Sequence, residues 1–580
     1  MNLFDAPNIN ILWGNLIVEE LIRNGASYFI VSPGSRSTPL TVAIARYSQA
    51  QRRVFLDERG AAFHAIGYAR ATGKPAVLVS TSGSAAANYF PAVIEAATDN
   101  LPMIIISADR PPELRKTGAN QTIDQVNLYG DYVRWKFDIP CPDEKISPTF
   151  VLTTIDQAVY RAKRSHGPVH LNCMFREPLA PTNSAITLGY TLPLKPWLNS
   201  GRAWTDYPIP MVMQTDDNIH EISAILNNTK RGILALGRLN TMAQIRGVEK
   251  FAHKLQFPIF ADIRSGLRLG NTIDNQLFVT DIGLSDDPLE TVIQIGDRIL
   301  SKRFLEYLPT HPPRYYIMIT DSPSRHDPAH IVSHRIESNI EKLCESLLPL
   351  LAPNLSEDWQ DKLWLKSLKI RETIDSYLTK DSTLNEMAIA HLVSQHIPAD
   401  SGLFLANSMP IRDMDEYGIY GGNSVRIAAN RGTSGIDGII ASAAGFCQGL
   451  NTPTTLLIGD LAFLHDLNSL SMVNSLNHPL WIIVINNNGG GIFSFLPIAK
   501  FNDVFENYFA TPHNLQFDQA AKLFNLNYFS PPTPEEFVKD YQQAIASQTS
   551  AIIEVQTNRK QNQELHQELA DKIREISWRF

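Results

Sequence analysis

Short apolar runs bounded by turn residues alternate with Ala-rich amphipathic segments along most of the chain. Leu12, Leu16, Leu21 and Ile22 recur at helical spacing and Gly25 supplies a stop, so an opening helix is expected. The runs Tyr28–Val31, Val54–Leu56, Ala76–Val79 and Met103–Ile106 read as strands, separated by the helical stretches AAFHAIGYARATG and SAAANYFPAVIEAA. Such alternation predicts a parallel sheet covered on both faces. A Pro-rich stretch from Glu177 to about Asn218 (LAPTNS, LPLKPW, YPIPM) breaks the pattern and reads as a linker. A second series follows, with RGILALGRL, PIFADIRSG, TVIQIGD and RYYIMITD as strand regions, and LLPLLAPNLSEDW near residue 350 marks another boundary. A third series begins near residue 383 with LFLANS, TTLLIGD, LWIIVINNN and AIIEVQT, and the polar last 20 or so residues are expected to form a surface helix. The fold class is therefore α/β, with three consecutive domains at 1–185, 205–350 and 370–580, each a central parallel sheet flanked by helices.

Composition narrows the function classes only a little. The 580 residues suffice for about three or four domains. Hydrophobic residues at 44% and charged residues at 19% are ordinary for globular chains. A net charge of −8 argues against a nucleic-acid binder. Cys141, Cys173, Cys344 and Cys447 stand alone without metal-ligand spacing, which fits buried thiols in a reducing compartment. The segment MNLFDAPNINILWGN lacks the basic start and apolar run of a signal peptide, and no stretch reads as a membrane span. A cytoplasmic protein is expected. Many dehydrogenases and kinases share this periodicity, so function has to come from sites.

The most informative segment is Gly459-Asp460-Leu461, then a helical stretch, then Asn486-Asn487-Asn488-Gly489-Gly490-Gly491. TTLLI and LWIIVI precede the two motifs as candidate buried strands, which a βαβ unit would make parallel, with Asp460 and Asn487 at their carboxyl ends. Mg²⁺ takes oxygen ligands in octahedral geometry and usually keeps substrate phosphates in its shell. A carboxylate from Asp460, a carboxamide oxygen from Asn487 and a backbone carbonyl near Gly489 meet that demand, and glycines let the backbone come close. Taken singly, GD is a turn and NNNGGG a flexible loop. Placed directly after apolar strands and 27 residues apart (Asp460 to Asn487), they favour a metal–diphosphate site. This spacing resembles the thiamine-diphosphate motif, GDG followed by NN, with Leu461 standing where a second Gly is common.

An enzyme of that superfamily needs a carboxyl group on the cofactor's pyrimidine N1′ atom. Glu58, at the end of VFLDE and opening RGAAFHAIGYARATGKP, fits, although on position alone it would be a charge complementing a helix dipole. The run from Glu58 to Pro75, with STSGSAAANYFPAVIEAATDNLPMIIISADRP, resembles the superfamily's pyrimidine domain. The resemblance implies pyrimidine, central and diphosphate domains in that order. It also implies a homodimer or homotetramer in which the cofactor bridges Glu58 of one subunit and Asp460 of its neighbour, with Mg²⁺ (or Mn²⁺) as the metal.

Basic residues cluster in segments expected to be loops at strand ends: Arg36, Arg110, Lys302, Arg303, Arg412 and Arg431. Singly these are solvated charges; together they suit polyanionic substrates, because guanidinium groups bind carboxylates bidentately. The motifs PGSRSTPL, ADRPPEL, GANQ, NSMPIRD, NRGTSGIDG and GGGIFSFLP resemble, along essentially the whole chain, the synthase family of menaquinone and phylloquinone biosynthesis. The resemblance implies decarboxylation of 2-oxoglutarate and Stetter-like addition of the succinyl carbanion to isochorismate. It assigns Ser35, Arg36, Arg110, Lys302 and Arg303 to isochorismate. Asn120, Gln121, Asn407, Ser408, Arg412 and Arg431 fall to the oxoglutarate-derived groups, with Glu58, Gln121, Arg412 and Arg431 catalytic. Ser408, Met409, Ile492 and Phe493 border the cofactor, Ile436 props its bent form, and Ile492, Phe493 and Leu496 wall the succinyl chain. The rivals are an acetolactate synthase or 2-oxoacid decarboxylase, a non-catalytic protein that kept the fold, and a dehydrogenase. The last would need a glycine fingerprint that is absent.

Overall fold

The computed structural model describes residues 6–187, 189–270, 288–352, 357–380, 383–419 and 424–578. Among these, seventeen strands form three sheets in which every pairing is parallel. The first sheet contains β1 (Tyr28–Val31), β2 (Gln51–Val54), β3 (Ala76–Ser80), β4 (Met103–Asp109), β5 (Trp135–Ile139) and β6 (Pro168–Met174), in the order β2-β1-β3-β4-β6-β5. The second contains β7 (Gly232–Leu236), β8 (Ile259–Ala261), β9 (Thr291–Ile295), β10 (Tyr315–Thr320) and β11 (His334–Glu337), in the order β11-β10-β9-β7-β8. The third contains β12 (Gly402–Leu405), β13 (Arg426–Ala428), β14 (Thr454–Gly459), β15 (Leu480–Asn486), β16 (Asn527–Phe529) and β17 (Ala551–Gln556), in the order β13-β12-β14-β15-β17-β16. The first and third sheets thus repeat one topology.

The chain divides into two compact units. One comprises Met1–Pro210, Asn430–Asn451 and His465–Asn477 and holds the first sheet; the other comprises Met211–Ala429, Thr452–Leu464 and His478–Phe580 and holds the second and third sheets. In the first unit, Phe29, Val77, Ile104 and Leu171 of the sheet pack with Leu12 and Leu16 of helix Ile9–Arg23 and with Leu152 and Val159 of helix Thr149–Arg164. Its opening helix stops as expected, with Gly25 at φ +80°.

Three expectations need correction, on a strand, the linker and the last helix. The strand placed at Val54–Leu56 lies at Gln51–Val54: it is an edge strand, Val54 and Leu56 are exposed, and burial does not select their side chains. The Pro-rich segment is not a free linker along its first part. Trp197 donates its indole N–H to Glu20 Oε2 at 2.6 Å, Trp204 N donates to Glu20 Oε1, and the Tyr190 hydroxyl accepts from Trp13 Nε1 at 3.0 Å. Aromatic burial of this kind holds a segment that few backbone hydrogen bonds fix. Residues 353–356 of the second expected boundary lie outside the described residues.

The last helix, Arg559–Trp578, is more than a surface element. Leu569 and Ile573 are buried with Ile370 and Ile374 of helix Glu357–Lys380. His566 faces two acceptors, the Asn562 carbonyl at 2.8 Å from Nδ1 and Asp413 Oδ1 at 3.0 Å from Nε2, an arrangement that calls for the doubly protonated imidazolium. Burial opposes that charge, but the adjacent Asp413 carboxylate outweighs it and pushes the imidazole up to about 9. Asp413 belongs to helix Met409–Tyr417, so the ion pair pins that helix to the last one.

Because the folded-state pKa of His566 lies above its ordinary value of 6.5, its stabilisation is complete below pH 6.5 and fades as the pH rises to about 9. The slope is at most about 1.4 kcal/mol per pH unit. Urea unfolding of the protein and of His566→Gln should therefore differ most at pH 6 and converge by pH 9; a difference independent of pH would show that folding leaves the imidazole pKa where it was.

Candidate active site

In open α/β sheets ligands bind beyond the carboxyl ends of the strands, where the strand order reverses. In the third sheet that switch lies between β12 and β14, which are followed by Asn407-Ser408 and by Asp460. β14 and β15 pair in parallel with Gly459 opposite Ile485, so Asp460 and Asn487 emerge side by side, as their spacing led us to expect. Asp460 opens the short helix Asp460–His465 and is buried. Its Oδ1 accepts from Leu461 N at 2.7 Å, and its Oδ2 accepts from Gly489 N at 2.8 Å and His513 Nε2 at 3.1 Å. His513 Nδ1 accepts from Leu515 N, which places the ring proton on Nε2, toward Asp460. Burial raises the Asp460 carboxyl above its ordinary value, opposed by these three donors.

Each of the three consecutive asparagines has a different partner. Asn486 Nδ2 donates to Glu554 Oε1 at 2.6 Å and to Leu515 O at 2.9 Å. Asn488, at φ +58°, accepts on Oδ1 from His513 N and Asn514 N. Asn487 Nδ2 donates to Glu386 Oε1 at 2.8 Å, whereas its Oδ1 is buried and has no hydrogen-bond partner. A buried carboxamide oxygen without a donor is costly unless something else takes its lone pairs. Among the described residues no three His, Cys, Asp or Glu side chains gather into a metal site. A cation here would use the Asp460 carboxylate, the Asn487 oxygen, backbone carbonyl oxygen and oxygens of its own ligand. That donor set suits Mg²⁺ with a diphosphate and fits the residues present. The backbone demands glycine: at Gly489 (φ +134°) a Cβ would lie 2.0 Å from Ala510 O, and at Gly491 2.4 Å from Asn487 Nδ2.

Glu386 was not anticipated. It opens helix Glu386–His396 and in sequence looks like an ordinary first-turn acid. It is 1% exposed, and burial, with repulsion from Asp413, pushes its carboxyl up to about 7. Its acceptance from Nδ2 decides which way the Asn487 amide faces. His513 was equally unmarked, since its partner Asp460 is distant in sequence.

Other expected residues of this unit sit as follows. Asn407 is buried, Ser408 holds φ +69° before the helix of Met409 and Arg412, and the Arg412 guanidinium donates to Ser408 O. A non-glycine residue in that backbone region is uncommon and marks strain at a special position. Burial lowers the Arg412 pKa from its usual value. Lys302 and Arg303 are in the first turn of helix Lys302–Thr310, and Arg412 is likewise helical, so these three cations sit on helix starts rather than in the loops expected. Lys302 is exposed and paired with Glu306 at 3.2 Å, whereas burial raises the Glu416 and Tyr417 pKa values and the nearby Arg303 charge only partly opposes both shifts. Ile492 and Phe493 are half-buried in the turn Gly491–Phe495, Phe493 against Phe509 at 5.8 Å, and Leu496 is exposed.

The other unit repeats the arrangement at its own switch, between β1 and β3. Arg36 follows β1, is 8% exposed, and donates its backbone N–H to Thr81 Oγ1 beyond β3. Its guanidinium reaches Phe175 O at 2.9 Å and Glu177 at 3.4 Å, while its Nε is buried without a partner. Burial first, then repulsion from the nearby Arg110, lowers the Arg36 pKa, so the fold brings these two cations together. Arg110, directly after β4, donates to Asn120 O at 3.1 Å; Asn120 and Gln121 are exposed, Gln121 at φ +53°, and Ser35 is exposed beside Arg36. Glu58 is half-buried and opens helix Glu58–Thr72 behind the Asp57 cap; its charge adds to burial in pushing the Tyr89 hydroxyl up. Arg431 and Ile436 lie in the loop before helix Ile439–Leu450, Ile436 being 37% exposed.

Comparison with known proteins agrees with this layout. The chain matches the thiamine pyrophosphate enzyme N-terminal TPP binding domain over residues 13–128, the middle domain over 189–405 and the C-terminal TPP binding domain over 417–555. An X-ray structure from Mycobacterium smegmatis, described as a thiamin diphosphate-dependent enzyme, superposes with a TM-score of 0.70 at 17% identity, covering 94% of this chain and 99% of that one; this likeness concerns the fold. Curated relatives named 2-succinyl-5-enolpyruvyl-6-hydroxy-3-cyclohexene-1-carboxylate synthase include those of Rubrobacter xylanophilus, 44% identical over 97% of this chain and 98% of the relative, and Salinibacter ruber, 41% identical over 99% and 98%. That of Chlorobium phaeobacteroides is 42% identical over 98% of both. With identity at this level running the length of both chains, the protein belongs to the 2-succinyl-5-enolpyruvyl-6-hydroxy-3-cyclohexene-1-carboxylate synthase family of thiamine-diphosphate-dependent enzymes.

Proposed function

We propose that the protein decarboxylates 2-oxoglutarate and joins the succinyl unit to isochorismate by conjugate (Stetter-like) addition, releasing CO₂, in menaquinone or phylloquinone biosynthesis. The observation that carries this reading is the near-complete alignment with relatives bearing the synthase name. When bound, thiamine diphosphate supplies the electron sink for decarboxylation. Every other task falls to side chains of the protein.

Asp460, Asn487 and the carbonyl of Gly489 would hold Mg²⁺, a role supported by the unpartnered Asn487 oxygen. Glu58 would carry the hydrogen bond to the pyrimidine N1′ and keep the proton there. Ile436, Ile492, Phe493, Ser408 and Met409 would border the cofactor. Both substrates are dicarboxylates, and the cations answer that charge. Ser35, Arg36, Arg110, Lys302 and Arg303 would take isochorismate, which the closeness of Arg36 and Arg110 supports. Asn120, Gln121, Asn407, Ser408, Arg412 and Arg431 would take the oxoglutarate-derived carboxylate, with Leu496 along the succinyl chain. Partly buried guanidinium groups suit this work because they stay charged and are weakly hydrated. The proposal includes domains at 1–185, 205–350 and 370–580, a homodimer or homotetramer with its active sites at subunit interfaces, and a cytoplasmic location. The four free, buried cysteines fit a reducing compartment, and among the described residues no helix is long and apolar enough to cross a membrane.

The direct test follows isochorismate consumption by absorbance. Loss should require 2-oxoglutarate, thiamine diphosphate and Mg²⁺ together; CO₂ release from pyruvate without isochorismate loss would move the protein to another branch of the superfamily. Glu58→Gln should lower kcat by roughly 10²–10⁴, the usual weight of a positioned acid–base group, while Mg²⁺-dependent cofactor binding persists in a fluorescence titration. Unchanged turnover would remove the assignment. Arg412→Ala should raise the KM for 2-oxoglutarate by roughly tenfold to a hundredfold, from about 1.5–3 kcal/mol for a charge-assisted hydrogen bond. An equal loss of cofactor affinity would make Arg412 structural.

A further inference from the structure

The polar core beside helix Phe90–Thr98 centres on one carboxylate. Glu95 is 1% exposed. Its Oε1 accepts from Arg70 Nη2 at 2.8 Å and from Gly432 N at 2.8 Å; its Oε2 accepts from Thr433 N at 2.7 Å and Thr433 Oγ1 at 3.0 Å. An ionised carboxylate has about four acceptor positions, and here four donors fill them. Two of the donors are consecutive backbone N–H groups, so the clamp grips the loop backbone as well as the Thr433 side chain.

Arg70 extends the grip. It also donates to Asp99 Oδ2 at 2.5 Å and to Asn430 Oδ1 at 3.2 Å. Asn430 Nδ2 in turn donates to Ser442 Oγ at 2.8 Å, which donates to the Phe63 carbonyl at 3.1 Å. Arg431 therefore sits between two residues, Asn430 and Gly432, that are both tied into one buried network. Phe63 belongs to the helix that Glu58 opens. A cavity of about 240 Å³ borders the clamp, lined among others by Phe63, Ile94, Glu95, Thr433 and Gly435, the last of these next to Ile436. All these residues lie in one compact unit.

We propose that Glu95 is a positioning residue for the reaction: its filled carboxylate fixes the loop from Asn430 to Asp437 and so sets where Arg431 and Ile436 are presented. This rests on the substrate and cofactor roles proposed above for those two residues. Glu95 acts through the loop backbone, which explains why the loop requires glycine at 432. A Cβ there would lie 2.6 Å from the Glu95 carbonyl oxygen and 2.7 Å from its Oε2.

Removing Glu95 risks unfolding, because Arg70 would be left buried without one of its two carboxylate partners. Gly432→Ala avoids this by pushing the loop off the clamp while leaving Glu95, Arg70 and Asp99 paired. Three measurements are made on this variant and on Thr433→Val: the thermal midpoint, the thiamine diphosphate dissociation constant by fluorescence titration with Mg²⁺, and kcat and KM for 2-oxoglutarate. For Gly432→Ala we expect a folded protein with a lowered midpoint, a KM raised at least tenfold and weakened cofactor binding. Thr433→Val should show the same pattern at about threefold, as loss of one hydrogen bond implies. Parent-like KM and cofactor affinity in Gly432→Ala, with Arg431→Ala impaired, would overturn the positioning role alone. A parent-like Arg431→Ala would overturn the underlying reading and the proposal with it. A lower midpoint with unchanged KM and cofactor affinity would make the clamp purely structural.

Discussion

Helix Glu58–Thr72 and helix Ile439–Leu450 meet backbone to backbone, and the first unit depends on that contact. A Cβ on Gly67 would fall 1.9 Å from the Ser442 carbonyl oxygen, and one on Gly445 2.0 Å from that of His64. Each helix offers a glycine where the other's peptide carbonyl presses in. Close-packed interiors do not yield a full ångström, so larger residues would separate the helices. Because they touch, Asn430–Asn451 is gathered into the compact unit formed by the first part of the chain. A loop carrying Arg431 and Ile436 thereby comes within hydrogen-bonding reach of Glu95, more than 300 residues earlier in the sequence. The contact is also buried and polar at once. Ser442 bridges Asn430 to Phe63 O across it, so the helices are held by specific hydrogen bonds as well as by shape.

The second unit solves a different problem, holding several buried carboxylates without letting them repel one another apart. Glu386, Asp413 and Asp460 are each at most 2% exposed. Asp413 is neutralised by His566; Asp460 is satisfied by two backbone N–H groups and His513; Glu386 takes the Asn487 amide. What this network leaves over is as informative as what it satisfies. The Asn487 oxygen is the polar atom at the end of β15 to which no donor comes. A cation is the partner that such an atom beside a carboxylate would accept, and the neighbouring glycines keep the space from being filled by side chains.

The interior strands of the three sheets were legible because burial on both faces writes continuous apolar runs: β3, β9, β14 and β15 could be read directly. Strands β2, β5, β11, β13 and β16 were misplaced or unread, and all five are sheet edges where one side has no neighbour among the described residues. Sequences such as QRRV and HRIE carry charge there because solvent permits it and because charge blunts an edge against further pairing. β6 escaped for another reason: PVHLNCM is fully buried, but His170 and Asn172 interrupt its apolar run, and they are tolerated because Ser107 and Asp109 on the neighbouring strand bond them. Asp460 and Asn487 were legible because both flank apolar strands. Glu386, Glu95 and His513 were not, since each owes its meaning to a partner far away in sequence.

The division of labour among charges follows from that. Six of the residues expected to meet ligands are cations, and a reader of sequence can pick them out because they recur together in the segments between apolar runs. The residues that hold the loop of Arg431 and the helix of Arg412 in place are acids inside the fold: Glu95 on the loop and Asp413 on the helix. A buried carboxylate accepts several hydrogen bonds at once and is strongly directional when the donors are backbone N–H groups, whereas a flexible cation fixes little. Neutral side chains of similar volume would bury more cheaply. What the acids provide instead is geometry: the Glu95 carboxylate fixes two consecutive backbone N–H groups of its loop, and Asp413 ties the helix of Arg412 to the last helix.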